Sequence, residues 1–519
     1  MKNFMEASSG KEVYRLRSAN SASNFSYFLP IIFIFGSFLL YLPVINRYFV
    51  SDDFKVLNRV CNHHIIFIKG FFRPLSDLSI FLNYQLNGLN PVVFNSFNIL
   101  LHGINSYLLY LICICLGSNK EKFKVIYFAW ISSAFFLTYP FHNEAIVWLL
   151  GRGASMACLF SLLAILGFYK IKNTNLRFLF VCASYFISIS AFESTLFFPI
   201  IFLLLALLEN QPFSSLKKWI VFLGLTCILH LFLRIFISGS VTGSYGWEFF
   251  HSGMRFYIFN IGKVGGRLLL PPLKNANILS AAFLAIIILF GSLIFKNYKK
   301  NRLAPERRTS LFLGSMLFIA CIIPVLTGIS TQTSETDRTL YFPSVFLCMI
   351  TGYYLTFQVK NFNFKLIITL MIIAYNIFFL EVNNRNWIKA SSITHSIMNT
   401  IRSENSTDRV FFLNIPNEIQ GAYVLRQGFQ DALKLYGADS SLNIDVNYLP
   451  RQDLEKMKAQ IKLNLQDEII NLPPDIILKS DSAGCRKIFD HGVLKYTCMA
   501  GDHIYFWNIN QLELIPACK

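Results

Sequence analysis

Two adjacent carboxylates, Asp52 and Asp53, follow an apolar run at 27–46 that is long enough to cross a bilayer. A carboxylate can deprotonate a hydroxyl nucleophile that lies within hydrogen-bond reach. Because neighbouring residues point in different directions, one could be a general base while the other holds an arginine or a loop. Taken alone, such a pair is more commonly a solvated cap at the end of a membrane span. The catalytic interpretation therefore depends on which other side chains the fold brings beside them.

Basic side chains recur at the ends of other apolar runs. Arg73 precedes a proline among aromatic residues, where a guanidinium either anchors the chain at the membrane interface or binds phosphate oxygens bidentately. Glu144, Trp148 and Arg152 are four residues apart, which predicts acid, aromatic ring and base on one helix face. An ion pair between Glu144 and Arg152 inside a membrane is costly, so we expect it to serve either an active site or helix packing.

Further polar residues lie near the same predicted face of the membrane. His102 follows Asn98 by one helical turn, a spacing that more commonly indicates a neutral histidine satisfied by a helix neighbour. Glu193 lies between two short apolar runs without a basic neighbour, and Asp337-Arg338 opens another run. As a group these residues favour a site at one interface. The candidates for supporting or acceptor-binding roles are His102, His142, Glu144, Glu193 and Tyr341.

The composition indicates a polytopic membrane protein. The chain has 519 residues, of which 54% are hydrophobic, and its mean hydropathy is +0.47. We predict about eleven transmembrane helices because apolar runs of spanning length recur along the chain. They lie near 27–46, 94–116, 125–140, 154–170, 177–190, 194–208, 219–237, 277–295, 310–327, 338–357 and 366–381. Residues 1–26 lack a convincing cleavage site, so the first run is expected to be retained.

The net charge of +18 mainly indicates which loops lie on the cytoplasmic side of the membrane. The lysines and arginines cluster in short loops between the apolar runs, which marks those loops as cytoplasmic and argues against nucleic-acid binding. The N-terminus is then cytoplasmic, and the candidate acids and arginines lie on the extracytoplasmic side. Residues 254–272 are predicted as a re-entrant or interfacial helix, because a crossing there would place the basic cluster at 296–308 outside. Residues 76–86 are predicted as an amphipathic helix on the membrane surface.

Residues 383–519 have the composition of a small α/β domain on the extracytoplasmic side. We predict a strand at 410–415, helices at 421–436 and 451–465, and a hairpin within 486–508 around Asp490-His491-Gly492. Most of the 11 cysteines lie in apolar runs, and without a CxxC pattern a structural zinc site is not expected. In the tail, Cys485 and Cys498 are candidates for a disulfide if this domain is exported.

Several segments resemble the TMTC-type and protein O-mannosyltransferase-like membrane proteins. The similarity covers residues 27 to 381 and is most specific between Arg73 and Arg152. The matching segments are Phe72-Arg73-Pro74-Leu75, Gly88-Leu89-Asn90-Pro91, Asn98 to Asn105, Pro140, Glu144 to Trp148, Gly151-Arg152 and Arg338 to Ser344.

This resemblance implies a GT-C fold and a glycosyltransferase that uses a polyprenyl-phosphate-linked sugar. It also implies a catalytic Asp in the first extracytoplasmic loop, which makes Asp52 the first candidate for the base and Asp53 the second. The donor phosphate would be bound by Arg73, Arg152 and Arg338, which can stabilise the developing charge of the leaving group. Whether the reaction needs a divalent cation is not decided by the resemblance.

The chain also departs from that family. Phe192-Glu193 stands where the family often has Lys-Glu, and Tyr139-Pro140 replaces a His-Pro pair. No helical repeat follows residue 383, so the acceptor remains open between a glycan, a lipid and a protein. The predicted organisation is a cytoplasmic segment at 1–26, a catalytic membrane domain at 27–382 and an extracytoplasmic domain at 383–519.

Two other functional classes remain open at this stage. A secondary transporter or lipid flippase would also explain many spans with intramembrane charges, but it predicts an internal repeat and a site at the membrane midplane. A catalytically inactive scaffold would keep the fold without the chemistry. The richness in Phe, Ile, Asn and Lys, together with the missing repeats, favours a bacterial inner membrane as the location.

Overall fold

The computed structural model describes residues 28–241, 253–285, 305–403, 409–436, 443–449, 463–472, 475–508 and 511–518. Over most of its length the chain is helical, and a strand-containing domain follows at the C-terminal end. In chain order the helices are α1 Leu29–Tyr41, α2 Asp52–Leu57, α3 Pro74–Asn87, α4 Pro91–Leu116, α5 Lys122–Thr138, α6 Asn143–Ile146, α7 Arg152–Lys170, α8 Thr174–Ala191, α9 Phe198–Leu208, α10 Phe213–Ser238, α11 Met254–Arg267, α12 Ala276–Ala285, α13 Pro305–Ala320, α14 Ile322–Thr327, α15 Tyr341–Phe357, α16 Phe362–Ser403 and α17 Phe429–Leu435.

The helices confirm a multi-pass membrane protein. Within the described residues, 7 helical segments are long and apolar enough to cross a membrane. They are Pro91–Leu116, Arg152–Lys170, Thr174–Ala191, Phe213–Ser238, Arg308–Thr327, Asp337–Phe357 and Phe362–Arg402, and each overlaps a predicted span. The other four predicted spans coincide with shorter helices, namely α1, α5, α9 and α12. Residues 286–295 of the span predicted at 277–295 lie outside the described residues.

Burial divides the helices into a central and a peripheral group. In the most apolar window of α4, α7 and the segment Asp337–Phe357, 61%, 67% and 72% of residues are buried inside the protein. In α10 the corresponding share is 17%, so its apolar side chains mostly face outward, as expected for a helix that contacts lipid. Among the candidate residues, Arg152 and Tyr341 open the central helices α7 and α15, and His102 lies within α4.

Two connecting helices were predicted near the membrane surface. The amphipathic segment at 76–86 is helical, as α3, and its buried residues include Ser76, Asp77 and Ile80. Residues 254–272 form α11, which ends at the fully buried Arg267. Arg267 donates from Nη2 to both carboxylate oxygens of Asp337, each at 2.6 Å, and this ion pair ties α11 to the segment that leads into α15.

The long helix α16 joins the two parts of the molecule. Its 42 residues extend about 63 Å at 1.5 Å per residue, roughly twice the hydrocarbon thickness of a bilayer. The predicted boundary at residue 383 falls inside this helix. Beyond that point Asn384 donates to the carbonyl of Leu40 at 3.1 Å, and Ser391 accepts from the amide of Tyr48 at 2.7 Å. One continuous helix therefore packs against the membrane domain and leads into the C-terminal domain.

The C-terminal domain contains two four-stranded sheets with the orders β10-β9-β1-β4 and β5-β6-β7-β8. The strands are β1 Arg409–Pro416, β2 Glu418–Ile419, β3 Ala422–Tyr423, β4 Asn443–Leu449, β5 Ile469–Leu472, β6 Ile476–Ser480, β7 Arg486–Asp490, β8 Val493–Thr497, β9 His503–Asn508 and β10 Gln511–Pro516. In the first sheet β1 pairs parallel to both β4 and β9, whereas the second sheet is an antiparallel meander.

The predicted strand at 410–415 and the hairpin around Asp490-His491-Gly492 are confirmed as β1 and as β7–β8. The helix predicted at 421–436 is wrong in its first half. There the chain forms β3 and a loop, and α17 begins only after Gly428, whose φ of 80° is left-handed and cannot continue a right-handed helix. Most of the helix predicted at 451–465 lies outside the described residues.

Cys485 and Cys498, the candidates for a disulfide, do not pair with each other, because Cys485 pairs with Cys518. These two residues face each other in an isolated antiparallel bridge, with their Cα atoms 3.9 Å apart. Cys498 instead lies buried among the apolar side chains between the two sheets, as a free thiol. The bond closes the end of β10 onto the start of β7 and so joins the two sheets.

Replacement of both bonded cysteines (Cys485→Ser with Cys518→Ser) should destabilise the C-terminal domain by about 3–4 kcal/mol, since the bond closes a loop spanning 33 residues. Peptide mapping without reduction should recover a Cys485–Cys518 peptide, and thermal unfolding should show the loss of stability. Cys498→Ser serves as the comparison, because it removes no disulfide. Recovery of a Cys485–Cys498 peptide would contradict the pairing.

Candidate functional site

Asp53 is a buried anchor of the loop that carries it. Its side chain has 0% exposure, its Oδ2 accepts from the amide of Val50 at 3.0 Å, and the guanidinium of Arg47 lies 3.6 Å away. Burial raises the pKa of Asp53 to about 6, and Arg47 opposes that shift. A carboxylate enclosed in this way cannot meet an acceptor hydroxyl. Its contacts instead hold Arg47 and the start of α2 in place.

Asp52 differs from its neighbour in each of these respects. It is partly exposed, and among the described residues its carboxylate makes no hydrogen bond or ion pair. Partial burial raises the pKa of Asp52, while the positive charges of Arg426, Lys55 and Arg338 lower it. An accessible carboxylate near cations can remain ionised and accept a proton. Of the two aspartates, Asp52 is therefore the one whose carboxylate is accessible.

Arg338 is held beside this region by Glu144. One carboxylate oxygen of Glu144 contacts the Arg338 guanidinium, and the other accepts from the Arg338 amide at 2.8 Å. The hydroxyl of Tyr423 donates to Glu144 at 2.9 Å, and the guanidinium lies over the ring of Trp148 with its carbon 5.1 Å from the centroid. Glu144 is fully buried, whereas the Arg338 side chain keeps 17% exposure. Arg338 is therefore held in place by Glu144 and Trp148 and stays partly exposed.

The predicted ion pair between Glu144 and Arg152 is wrong. Glu144 belongs to the short helix α6, and α7 begins only at Arg152, so the two residues do not share a helix face. The turn between them brings Gly151 so close to the Glu144 carbonyl that a Cβ there would overlap with it. Because the helix is interrupted, the four-residue spacing of Glu144, Trp148 and Arg152 does not place their side chains on one helix face.

Arg152 is instead committed to the interior of the helical domain. It is fully buried and donates to Asn98 Oδ1 at 2.6 Å, Ser79 Oγ at 3.2 Å and the Phe94 carbonyl at 3.1 Å. Its guanidinium carbon also lies 4.7 Å from the centroid of the Phe97 ring. These contacts join α3, α4 and α7. They leave the guanidinium no open side for a phosphate.

Arg73 and Glu193 form a second cluster with Arg234. Glu193 accepts from Arg73 at 3.0 Å and from Arg234 at 2.9 Å, which links the start of α3 to the end of α10. Although burial raises it, the two arginines bring the pKa of Glu193 to about 2. The Arg73 side chain keeps 21% exposure, so this cluster is partly open to the surface.

His102, His142 and Tyr341 come together inside the helical bundle rather than at the open site. His102 Nδ1 and the Tyr341 hydroxyl lie 2.8 Å apart, and His102 Nε2 lies 3.0 Å from the Leu137 carbonyl. His142 Nε2 lies 2.7 Å from Ser344 Oγ, and its ring centroid lies 4.3 Å from that of Tyr341. All three side chains are fully buried, so they fix the packing of α4, α5 and α15.

The C-terminal domain contributes residues that the sequence did not mark as functional. We call residues 421–428 the docking loop, because it lies between the loop of Asp52 and the loop that precedes Arg338. From it Tyr423 reaches Glu144, and Arg426 pairs with Glu335 at 2.8 Å while covering the Tyr423 ring at 4.3 Å. The signal available in the sequence was a pair of glycines, Gly421 and Gly428, enclosing an aromatic and a basic residue.

Within the part of the chain that the structure describes, no group of three or more His, Cys, Asp or Glu side chains is arranged to hold a metal ion. The requirement for a divalent cation therefore stays a prediction. The region around Asp52 consists of this accessible carboxylate, the partly exposed Arg338 and the buried Glu144 that orients Arg338, whereas Arg73 belongs to the separate cluster with Glu193 and Arg234.

The different environments of the two aspartates lead to opposite expectations for their amide variants. Asp53→Asn should lower the unfolding free energy by about 3 kcal/mol or more, because it leaves the buried Arg47 without its counter-charge. Asp52→Asn should change thermal stability little, since its carboxylate has no bonded partner among the described residues. Thermal unfolding of both variants in detergent measures the difference. Equal destabilisation would contradict the assignment of separate roles.

The docking loop should depend on Gly428 for contact as well as for conformation. An ideal Cβ at this position, where φ is 80°, would lie 2.5 Å from the Ser51 carbonyl oxygen. Gly492 has a similar φ of 77° with nothing within 4 Å, so Gly492→Ala carries only the backbone cost of about 1–2 kcal/mol. Gly428→Ala should cost more and should expose the docking loop to limited proteolysis. Equal effects of the two variants would show that the loop is not closely docked.

Comparison with known proteins confirms the resemblance seen in the sequence. No family model matches the chain. Mouse protein O-mannosyl-transferase TMTC1 is 35% identical over 99 residues, which cover 19% of this chain and 10% of the mouse protein. A Caenorhabditis elegans protein O-mannosyl-transferase is 25% identical over 231 residues, covering 40% of this chain and 32% of that protein. The matches thus span between about a tenth and a third of these relatives.

Two solved structures of membrane enzymes are also similar. ArnT from Cupriavidus metallidurans, crystallised with undecaprenyl phosphate, has a TM-score of 0.43 at 10% identity, covering 80% of this chain and 89% of that chain. The Archaeoglobus fulgidus oligosaccharyltransferase has a TM-score of 0.39 at 10% identity, covering 81% of this chain and 62% of that chain.

Proposed function

We propose that this protein is an integral-membrane glycosyltransferase of the GT-C type. It transfers one sugar from a polyprenyl-phosphate-linked donor to a hydroxyl acceptor, with Asp52 as the general base. The observation that carries the proposal is an accessible carboxylate, without a bonded partner among the described residues, beside the partly exposed Arg338. The similarity of part of the chain to protein O-mannosyl-transferases supports the same chemistry.

In the proposed reaction Asp52 accepts the proton of the acceptor hydroxyl as its oxygen attacks the anomeric carbon. The bond between that carbon and the phosphate oxygen breaks, and the polyprenyl phosphate leaves with the bonding electrons. Attack on the face opposite to the leaving group inverts the anomeric centre. The carboxylate is the only group required to change its protonation state, and general-base catalysis of this kind contributes about 10²–10⁴-fold to the rate.

Arg338 is the proposed ligand of the donor phosphate beside Asp52. Its position is fixed by Glu144 and Trp148, so it can stabilise the phosphate charge that develops in the transition state without moving. Arg73, in the cluster with Glu193 and Arg234, remains a candidate for a second contact with the donor headgroup. Arg152 has no open side, and we assign it a supporting role through Asn98 and Ser79.

The N-terminus is proposed to be cytoplasmic and the C-terminal domain extracytoplasmic. The basic short loops support this orientation, and the Cys485–Cys518 disulfide is of the kind that persists in an oxidising compartment. A bacterial inner membrane with the domain on its outer side is the proposed location. The acceptor would then be a glycan, a lipid or a protein on that side.

Transfer can be measured with the purified protein in nanodiscs, offered a panel of polyprenyl-phosphate sugars together with glycan, lipid and peptide acceptors. Asp52→Asn should lose at least about 10²-fold in turnover while it still binds the donor, because only the proton acceptor is removed. Parallel reactions with EDTA test the need for a divalent cation.

Asp431→Asn is the control variant, since this carboxylate lies on α17 and contacts Asn58 rather than the open site. Turnover by Asp52→Asn equal to that of the wild type would contradict the assignment of Asp52 as the general base. A folded protein that binds no lipid-linked sugar and transfers none would overturn the enzyme class. Movement of the lipid across the bilayer without transfer would favour a flippase.

A further inference from the structure

The docking loop is bound to the membrane domain on both of its sides. At one side the Ser51 amide donates to the Val424 carbonyl at 2.6 Å, and the Gln427 amide donates to the Ser51 hydroxyl at 3.3 Å. At the other side the Ser334 amide donates to the carbonyl of Gln420 at 3.2 Å. On the side of the loop each of these bonds is made by a main-chain group, so they fix the path of the backbone rather than only its side chains.

The two glycines at the ends of the loop permit this approach. Gly421 has a φ of 92°, and a Cβ there would lie 2.6 Å from the Glu335 amide nitrogen. Gly428 meets the Ser51 carbonyl in the same way at the other end. A side chain at either position would push the loop away. The backbone of the loop is therefore in contact with the segments that carry the base and the proposed phosphate ligand.

This path brings Arg426 close to Asp52. Arg426 lies between Val424 and Gln427, the two loop residues that bond to Ser51, and Ser51 directly precedes Asp52. Its guanidinium is held by Glu335 at 2.8 Å and by the ring of Tyr423, while its Nε is buried without a hydrogen-bond partner. The Tyr448 hydroxyl also donates to the Leu425 carbonyl at 2.8 Å, which ties the loop to the sheet of its own domain.

Several positive charges surround Asp52, and they differ in how far a counter-charge or water weakens their effect on it. Arg338 is compensated by the fully buried Glu144, and Lys55 is exposed, so water screens its charge. Arg426 pairs with Glu335, which keeps 32% exposure, so this counter-charge is partly screened by water. Among the positive charges that lower the pKa of Asp52, that of Arg426 is the largest. The ionisable groups facing this region are Asp53, Lys55, Glu144, Glu335, Arg338, Tyr423 and Arg426.

We propose that Arg426 is a positioning residue of the active site, supplied by the C-terminal domain, whose positive charge keeps Asp52 in its ionised form. This inference rests on the proposed function, because it assigns Arg426 a task in that reaction. It makes the active site composite. The membrane domain supplies the base and the phosphate ligand. The docking loop supplies the positive charge that sets the pH range in which the base is ionised.

The first test is the pH dependence of kcat for Arg426→Gln, Arg426→Lys and the wild type. A base must be ionised to act, so the rate falls as the pH drops through its pKa. Loss of the Arg426 charge raises that pKa, and the acid limb of the Arg426→Gln profile should move to higher pH. Arg426→Lys keeps the charge and should retain a profile close to that of the wild type.

The matched control is Arg409→Gln. Arg409 also lies in the C-terminal domain, is 28% exposed and pairs with Asp502 at 2.8 Å, but it does not belong to the docking loop. Its variant should leave the acid limb unchanged. A uniform loss of rate at all pH values in Arg426→Gln, with no shift of the acid limb, would overturn the proposal and leave Arg426 a structural role only.

The second test does not need turnover, so it separates failure of this inference from failure of the proposed function. Thermal unfolding of wild type, Arg426→Gln, Asp52→Asn and the double variant forms a double-mutant cycle, measured at about pH 8 where carboxylates are ionised. Arg426→Gln should lower Tm more in the presence of Asp52 than in the Asp52→Asn background. Equal shifts in both backgrounds would overturn the proposal, whether or not the protein transfers sugar.

Discussion

The buried carboxylate of Glu144 is the constraint on which the site depends. A charge without access to water must be satisfied by nearby donors, and Glu144 obtains them from the amide and guanidinium of Arg338 and from the hydroxyl of Tyr423. These donors belong to the start of a central membrane helix and to the C-terminal domain. One desolvated acid thereby draws together parts of the chain that are far apart in sequence. The position of Arg338 and the position of Tyr423 in the docking loop both follow from that requirement.

The features that the sequence predicted well are those that follow from local patterns. Apolar runs of spanning length predicted where the membrane helices lie, since the bilayer dictates their length. The alternation around Asp490-His491-Gly492 predicted the hairpin, because turn chemistry and period act over a few residues. For Asp52 and Asp53, the sequence predicted only that their side chains point in different directions. Which one is buried depends on Arg47 and on the loop around it, and a single sequence does not show such packing.

The features that were missed depend on long-range contacts. Spacing by fours suggested that Glu144 meets Arg152, but a turn separates their helices, and the true partner lies 194 residues away. Cys485 was paired with the nearer cysteine, whereas the order of strands brings it to Cys518. Arg426 looked like an ordinary residue of a surface helix. Its position near Asp52 depends on the close approach of Gly421 and Gly428 to the backbone of the membrane domain, which the sequence does not show.

The uninterrupted helix α16 has a mechanical consequence. Its first half lies in the membrane domain and the chain continues from its end to β1, so a tilt imposed on this helix by a bilayer of different thickness would be passed on to the C-terminal domain. A change of tilt would pull on the docking loop, which is held at Ser51 and Ser334 by main-chain bonds. The lipid environment would thereby reach the geometry around Asp52 without touching it. Comparison of turnover in bilayers of different acyl-chain length measures this coupling, and a rate independent of thickness would exclude it.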